Sequence, residues 1–451
     1  MKRLVLVVAV LAACAAPQPV TEQPSTTPNI VILFADDLGY GDLSSYGHPS
    51  IRTPHLDRMA TEGMRFTQFY SAATVCTPSR AALLTGRLPI RNGMTGDNRR
   101  VLFPNSALGI PDNEITLAEA LKQGGYATAC IGKWHLGHLP EFLPTRHGFD
   151  YYFGLPYSND MDNQRRGDPP VPLMRNEDII EQPALQETLT QRYTEEAIRF
   201  IREHRDGPFF LYLPYTFPHV PLFASDRFRG SSARGLYGDV VEEIDWSAGQ
   251  ILEVLRELGL EENSLVFFTS DNGPWLTKFQ EGGSAGLLRG GKGSTWEGGV
   301  REPAIAWWPG RIPAGRVTHA LGSTMDLFTT SLTLAGVPLP EDRIIDGQDL
   351  STVLLGLESG PRETLEYYRG SRLMAFRQGP WKMHFITQAG YREPPEIHSP
   401  PLLYHLQHDP SEQYNVSGDH PNVVEQILQT VESHKATLKP FESRLEAQVV
   451  N

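Results

Sequence analysis

The sequence predicts an α/β fold in which a large, mostly parallel sheet is sandwiched by helices, with a small C-terminal antiparallel sheet and one helix attached. Three observations predict it. Apolar runs of strand length recur at residues 29–35, 209–213 and 265–269, without the alternation of a half-exposed strand. Such runs suit strands covered on both faces, as in a parallel sheet. Helical stretches at 116–122, 188–204 and 237–258 lie between them. Beyond about residue 350 the pattern changes to short alternating segments at 372–377 and 381–386.

The chain begins with Lys2 and Arg3, a short apolar run over residues 4–13, and a polar, Pro-rich stretch from Pro17 to Pro28. That is the form of an export signal, too short for a membrane span. Leu11-Ala12-Ala13-Cys14 resembles the lipobox of bacterial lipoproteins, which implies lipidation of Cys14. Ala15 after the cysteine points to the outer membrane, facing the periplasm, in a Gram-negative cell envelope. The expected organisation is a signal peptide over 1–13, a tether over 14–27, an α/β domain over 28–355 and an α+β subdomain over 356–451.

Within the large domain, residues 29–35 form the first strand. Residues 126–131 read as a buried strand containing Cys130, where a thiol acts as a small hydrophobe. In the stretch 237–258, Val240, Val241, Ile244, Ile251 and Leu255 fall on roughly one helical face. In the C-terminal part, a turn-rich stretch with Pro394, Pro395, Pro400 and Pro401 precedes a helix over 422–438.

A chain of 451 residues, 40% hydrophobic, buries a large core, and 21% charged residues with seven tryptophans exclude a disordered chain. The net charge of -13 repels nucleic acid, so no nucleic-acid partner is expected. An anionic small molecule would have to be met by a locally basic pocket. The three cysteines are Cys14, Cys76 and Cys130, and no disulfide between the last two is expected.

The chemistry-bearing residues gather where strands end. Asp36 and Asp37 follow the first strand, and Asp271 and Asn272 follow the strand ending near residue 269. In open α/β sheets, ligands bind at carboxyl ends of strands. Adjacent carboxylates repel unless a cation neutralises them, and four oxygen donors suit calcium or magnesium. Cys76-Thr77-Pro78-Ser79-Arg80 opens a helix over 79–85 that ends at Gly86, and a helix N-terminus favours an anion. Lys133 and His135 follow the Cys130 strand, two apart, so an extended segment would face both to one side. His219 follows the 209–213 strand, and Lys292 sits in the Gly-rich loop Arg289-Gly290-Gly291-Lys292-Gly293.

Taken together these segments resemble the type I sulfatases, most closely the arylsulfatase A and N-acetylgalactosamine-6-sulfatase branch of the alkaline phosphatase superfamily. The resemblance rests on residues 28–42, on the Cys-x-Pro-x-Arg signature at Cys76–Gly86, and on Gly132-Lys133-Trp134-His135. Ser270-Asp271-Asn272-Gly273, Gly291-Lys292-Gly293, residues 297–303 and Leu403-Tyr404-His405-Leu406 complete it. Thr74 departs from it, since a smaller residue is expected two positions before the cysteine.

The resemblance implies an alkaline phosphatase-like fold and hydrolysis of aryl or carbohydrate sulfate monoesters, with release of inorganic sulfate. It implies that a maturation enzyme converts Cys76 to formylglycine, whose hydrated form attacks sulfur and then collapses to expel sulfate. Asp36, Asp37, Asp271, Asn272 and the modified residue 76 would hold one divalent cation, usually calcium, with magnesium the alternative. Arg80 and Lys133 would stabilise accumulating charge, and His135 would take the proton that drives collapse. Lys133, His219 and Lys292 would bind sulfate, His219 also protonating the departing alcohol, and Ser158 would help orient the diol. Two other readings are open. A phosphonate monoester hydrolase of the same superfamily commonly has histidine where this chain has Asn272. A non-catalytic binder of sulfated glycans would be expected to lose Cys76, Lys133, His135 or Lys292, all of which are present.

Overall fold

Strand β1 (Asn29–Ala35) is buried along its whole length and sends alternate side chains into two separate cores. Val31, Leu33 and Ala35 join the core built with the helices Pro54–Glu62, Leu189–Glu203 and Leu236–Glu257. Ile30, Ile32 and Phe34 join the core built with the helices Cys76–Thr85, Leu117–Gln123 and Asp326–Ala335. Helices on both faces are the reason this strand is apolar at every position but Asn29. The computed structural model describes residues 27–449 except 163, 164, 166, 358, 359 and 392. The leader, Cys14 and the tether up to residue 26 lie outside the described residues.

Among the described residues eleven strands make one sheet. Besides β1 they are β2 (Met64–Tyr70), β3 (Ala127–Ile131), β4 (Tyr151–Gly154), β5 (Leu173–Arg175), β6 (Asp178–Glu181) and β7 (Phe209–Pro214). The rest are β8 (Ser264–Ser270), β9 (Arg301–Trp307), β10 (Arg316–Thr318) and β11 (Gly322–Ser323). Their order is β10-β2-β9-β8-β1-β7-β3-β4-β5-β6, with β11 also beside β2. The centre from β8 to β4 is parallel, while β9 runs antiparallel to both neighbours and β5 and β6 add an antiparallel edge. This is the alkaline phosphatase-like sheet that the resemblance implies.

The helix carrying Cys76 begins at Cys76 itself, three residues before the expected start, because Pro78 falls in the first turn, where no intrahelical N–H bond is needed. Thr116 and Glu119 form a reciprocal capping box at the start of Leu117–Gln123, with Glu119 N donating to Thr116 Oγ1 at 3.1 Å.

The C-terminal sheet is an antiparallel meander of β12 (Thr364–Arg369), β13 (Arg372–Gln378), β14 (Trp381–Thr387) and β15 (Glu396–His405). Pro400 and Pro401 lie inside β15 rather than in a turn. β15 is an edge strand, where a missing N–H is tolerated. The helix Pro421–Thr437 packs Ile427 and Val431 on Phe376, Met383 and Leu403.

A buried polar knot joins the two sheets. Glu297 accepts from Lys382 Nζ at 2.9 Å and from Tyr70 Oη at 2.6 Å, while His384 Nε2 lies 2.7 Å from Glu412 Oε1. Residues 441–449 return across the large domain: Phe441 N donates to Ile90 O at 3.0 Å and Arg444 N to Gly93 O at 2.8 Å. Cys76 and Cys130 are both buried free thiols.

Candidate active site

β1 and β8 pair in parallel with Ala35 opposite Ser270, so Asp36-Asp37 and Asp271-Asn272 leave the sheet side by side. Asp37 N donates to Asp271 Oδ1 at 3.1 Å and Asn272 Nδ2 to Asp37 Oδ1 at 2.7 Å. Asp37 adopts a left-handed φ of 66°, and His135, at 60°, is another of the few non-glycine residues to do so. Such conformations are held only where the surroundings impose them, and they cluster at functional sites.

Each remaining group arrives from its own element. Gly132, at φ 135°, ends the β3 segment where a Cβ would lie 1.9 Å from Pro214 O, and only this close approach lets Lys133 N donate to that carbonyl at 2.7 Å. Lys133 Nζ then pairs with Asp36 and lies 3.1 Å from Ser158 Oγ. Arg80, one turn into the Cys76 helix, donates to Asp271 Oδ2 at 2.9 Å and to Lys133 O at 2.8 Å. It also lies 3.3 Å from Asp36. Lys292 Nζ reaches Asp37 Oδ1 at 2.7 Å and Cys76 Sγ at 3.6 Å. His219 Nε2 is 3.7 Å from Asp37 Oδ2.

His135 is present but not by the expected route. Its positive φ breaks the extended segment, and the ring instead meets Leu102 O with Nε2 at 2.9 Å. A carbonyl only accepts, so Nε2 carries the proton. Nδ1, buried and without a partner, keeps its lone pair. The reverse holds at His219, where Nδ1 donates to Val220 O at 2.6 Å and Nε2 is protonated only in the imidazolium.

The site fits a hard cation. Ligand atoms of Asp36, Asp37, Cys76 and His219 all lie within 4.8 Å of one another. Asp36 Oδ1 and Asn272 Oδ1 are buried without a hydrogen-bond partner. Native proteins rarely leave buried polar oxygens in this condition, and an oxygen-rich donor set suits calcium or magnesium.

Charge inside the cluster is strongly biased. Burial acts to raise the Asp36 carboxyl, but the Lys133 ammonium and Arg80 guanidinium outweigh it and hold it well below the carboxylate range. Burial and then the charge of Asp36 push Asp271 up to about 7, against the pull of Arg80. Burial, followed by the neighbouring Lys292, takes His219 down to about 3. Burial lifts the Cys76 thiol to about 12, although Lys133 and Lys292 pull the other way.

These groups open on a cleft of about 230 Å³ lined by Cys76, His135, Ser158, His219 and Lys292. Val101, Phe103, Asp160, Met161, Trp275 and Tyr391 complete the wall; Asp160 and Met161 fall in the stretch 159–176, which the sequence offers as pocket wall outside the motifs, and the other four were not legible as site residues. Ser158 and Asn272 gave some signal for Asp160 and Trp275, which lie two and three residues beyond them. Tyr391 comes from the C-terminal sheet region with no motif around it.

The sulfatase family model matches residues 28–337, and the model of the C-terminal region of aryl-sulfatase matches residues 360–450. The chain is 46% identical to the N-acetylgalactosamine-6-sulfatase of Canis lupus familiaris, over 98% of this chain and 91% of that protein. It is 43% identical to the arylsulfatase A of Homo sapiens, over 94% and 89% respectively. The solved structure of Ps i-CgsB in complex with k-i-k-neocarrahexaose is 30% identical over 90% of this chain and 92% of that one, with a TM-score of 0.78. The chain belongs to the sulfatase family and is a sulfuric ester hydrolase.

Proposed function

We propose that the chain hydrolyses sulfate monoesters of saccharides, with aryl sulfates as simpler substrates, using a formylglycine made from Cys76 and one divalent cation. The observation that carries this reading is the pair of partnerless buried oxygens, Asp36 Oδ1, in the cluster that also holds Cys76, and Asn272 Oδ1, on the amide that bonds Asp37 of that cluster. Asp36, Asp37, Asp271, Asn272 and residue 76 would hold the cation, calcium in the first instance and magnesium in the second. When present, the ion offsets the carboxylates and acidifies the nucleophile, and the hydrated formylglycine supplies both the attacking oxygen and the hydroxyl through which sulfate is released.

The chain's own residues do the rest. Lys292 and Lys133 bind sulfate oxygens, and Arg80 holds positive charge against the charge that builds at residue 76. Ser158, hydrogen-bonded to Lys133, orients residue 76. His135 accepts a proton at Nδ1, the ring atom left free by the bond to Leu102. His219 faces the sulfate, whose negative charge opposes the burial and the Lys292 charge that keep the ring neutral in the free site; charged in this way by the bound ester, it gives its Nε2 proton to the alcohol oxygen as the S–O bond breaks.

The saccharide class is supported by the carbohydrate complex of Ps i-CgsB and by the names of the sulfatase relatives. Asn272, an amide rather than an imidazole, favours sulfate over phosphonate hydrolysis. The division into 28–355 and 356–451, maturation by a formylglycine-generating enzyme, and export with lipidation at Cys14 belong to the same reading. Among the described residues no helix is long and apolar enough to cross a membrane. Replacing Cys14 by Ser should abolish labelling by a palmitate analogue, and an unlabelled wild type would refute the anchor.

Peptide mass spectrometry on protein from a host with the maturation enzyme should find the Cys76 peptide lighter by about 18 Da, or its hydrated form. Sulfate release should scale with the converted fraction. A fully active preparation with Cys76 entirely as thiol would overturn the mechanism.

A further inference from the structure

Thr74, which departs from the family pattern, has a partner that explains it. Arg100 Nη2 donates to Thr74 Oγ1 at 3.0 Å and to Gly293 O at 3.1 Å, beside Lys292. Its guanidinium also lies over the ring of Tyr391, 5.0 Å from the centroid, and Tyr391 lines the catalytic cleft. Arg100 Nη1 is buried and meets no acceptor.

The groove that Arg100 shares with Thr74 also contains Arg369, at the end of β12. Arg369 continues into a second hollow with Arg372, the first residue of β13. Arg369 bonds a neutral amide, Gln388 Oε1 at 2.7 Å. Among the described residues, none of the three arginines has a carboxylate within ion-pair distance. The one carboxylate lining these hollows, Asp97, is within 3.3 Å of Ser371 N and Ser371 Oγ. Burial, then the adjacent Arg369, pushes Arg100 down to about 10, as expected for guanidiniums crowded without an anion. Three unneutralised cations side by side are unusual on a chain of net charge -13.

We propose that Arg100, Arg369 and Arg372 form an anion subsite next to the sulfate cleft, which takes a carboxylate or second sulfate on the sugar adjoining the one being desulfated. The proposal rests on the sulfatase reading and narrows its substrate class to polyanionic saccharides. It also gives the C-terminal sheet a part in substrate binding. Arginine suits the task because its planar fork matches both carboxylate and sulfate.

The test uses the full chain and three disaccharides carrying the same scissile sulfate. Its neighbour is a uronic acid in the first, the carboxyl-reduced sugar in the second, and that neutral sugar bearing a sulfate in the third. For the wild type, kcat/KM should be at least about tenfold higher on both dianions than on the neutral-neighbour compound, with steeper salt dependence. A gain on the uronide alone assigns the subsite to carboxylate, and a gain on the disulfate alone to sulfate. In Arg369→Gln/Arg372→Gln the ratio of dianion to neutral-neighbour turnover should fall about tenfold. Equal ratios in wild type and variant overturn the subsite. Calorimetric binding of the same disaccharides to the Cys76→Ala chain, with and without the two arginine changes, separates the two readings. Tighter dianion binding that depends on the arginines, without turnover of any sulfate ester by mature protein, keeps the subsite and refutes the sulfatase reading. Binding indifferent to the second anion overturns the subsite.

Discussion

Arg80 Nη2 lies 2.9 Å from Asp271 Oδ2, and both side chains are fully excluded from solvent, so one ion pair ties the first turn of the Cys76 helix to the end of β8. Removing one partner of a buried pair strands the other charge, at a cost of about 3–5 kcal/mol. Arg80→Ala should therefore lower the Tm and abolish turnover together. Arg80→Lys, which lacks the fork, should recover part of the Tm and little of the activity. A melting curve and a sulfate-release assay on the same preparations check this, and an active Arg80→Ala enzyme would contradict it.

The cation site makes a separate expectation. Purified protein should contain about one calcium or magnesium ion per chain by elemental analysis. Asp271→Ala should lose the ion and nearly all turnover, and chelation of wild-type protein should lower its Tm. Stoichiometric zinc or manganese would instead favour phosphonate hydrolysis.

His219 offers a leaving-group test. Nitrophenolate departs without a proton, whereas a sugar alkoxide needs one. His219→Ala should lower kcat/KM by about 100-fold or more on a sugar sulfate and far less on nitrophenyl sulfate. Equal losses on the two would remove His219 from the acid role.

A pH dependence follows from the knot between the sheets. Burial alone would raise Glu297, but Lys382, Arg301 and Arg377 bring it from its ordinary 4.5 to about 2. A depressed carboxylate stabilises the fold above its unfolded value and loses that contribution as pH falls from about 4.5 towards 2. The Tm difference between wild type and Glu297→Gln should be full at neutral pH and shrink through that window. A difference unchanged down to pH 2.5 would show that the carboxylate charge is not what holds the sheets together.

Much of this was legible in the sequence, for identifiable reasons. β1, β7 and β8 read clearly because burial on two faces makes nearly every position apolar. β9 was hidden by Pro303, which lies beside the point where the β2–β9 register shifts, and β4 to β6 are only three or four residues long. The carboxylates, Lys133 and the histidines stood out because each follows a strand, and Lys292 because it sits in a Gly-rich loop. Tyr391, Arg100 and the Glu297–Lys382 pair did not, since their partners lie far off in the chain, 85 residues away for Glu297 and Lys382, and no local spacing records it. For Lys133 and His135 the expected extended segment is absent, because the positive φ of His135 breaks it.

The placement of Cys76 sets a clock. It is 2% exposed, on a helix whose every residue is buried, so the proposed maturation enzyme would have no access once that helix has docked. The loop downstream of this helix is bonded at Ile90, Gly93 and Ala107 by residues 441–449, which leave the ribosome long after Cys76 does. Synthesis itself therefore leaves an interval in which the cysteine is reachable, and under the proposed maturation the yield of competent enzyme would be a race between covalent processing and closure. Slowing translation through the second half of the gene, or delaying folding by cold, should raise the processed fraction without any change of sequence.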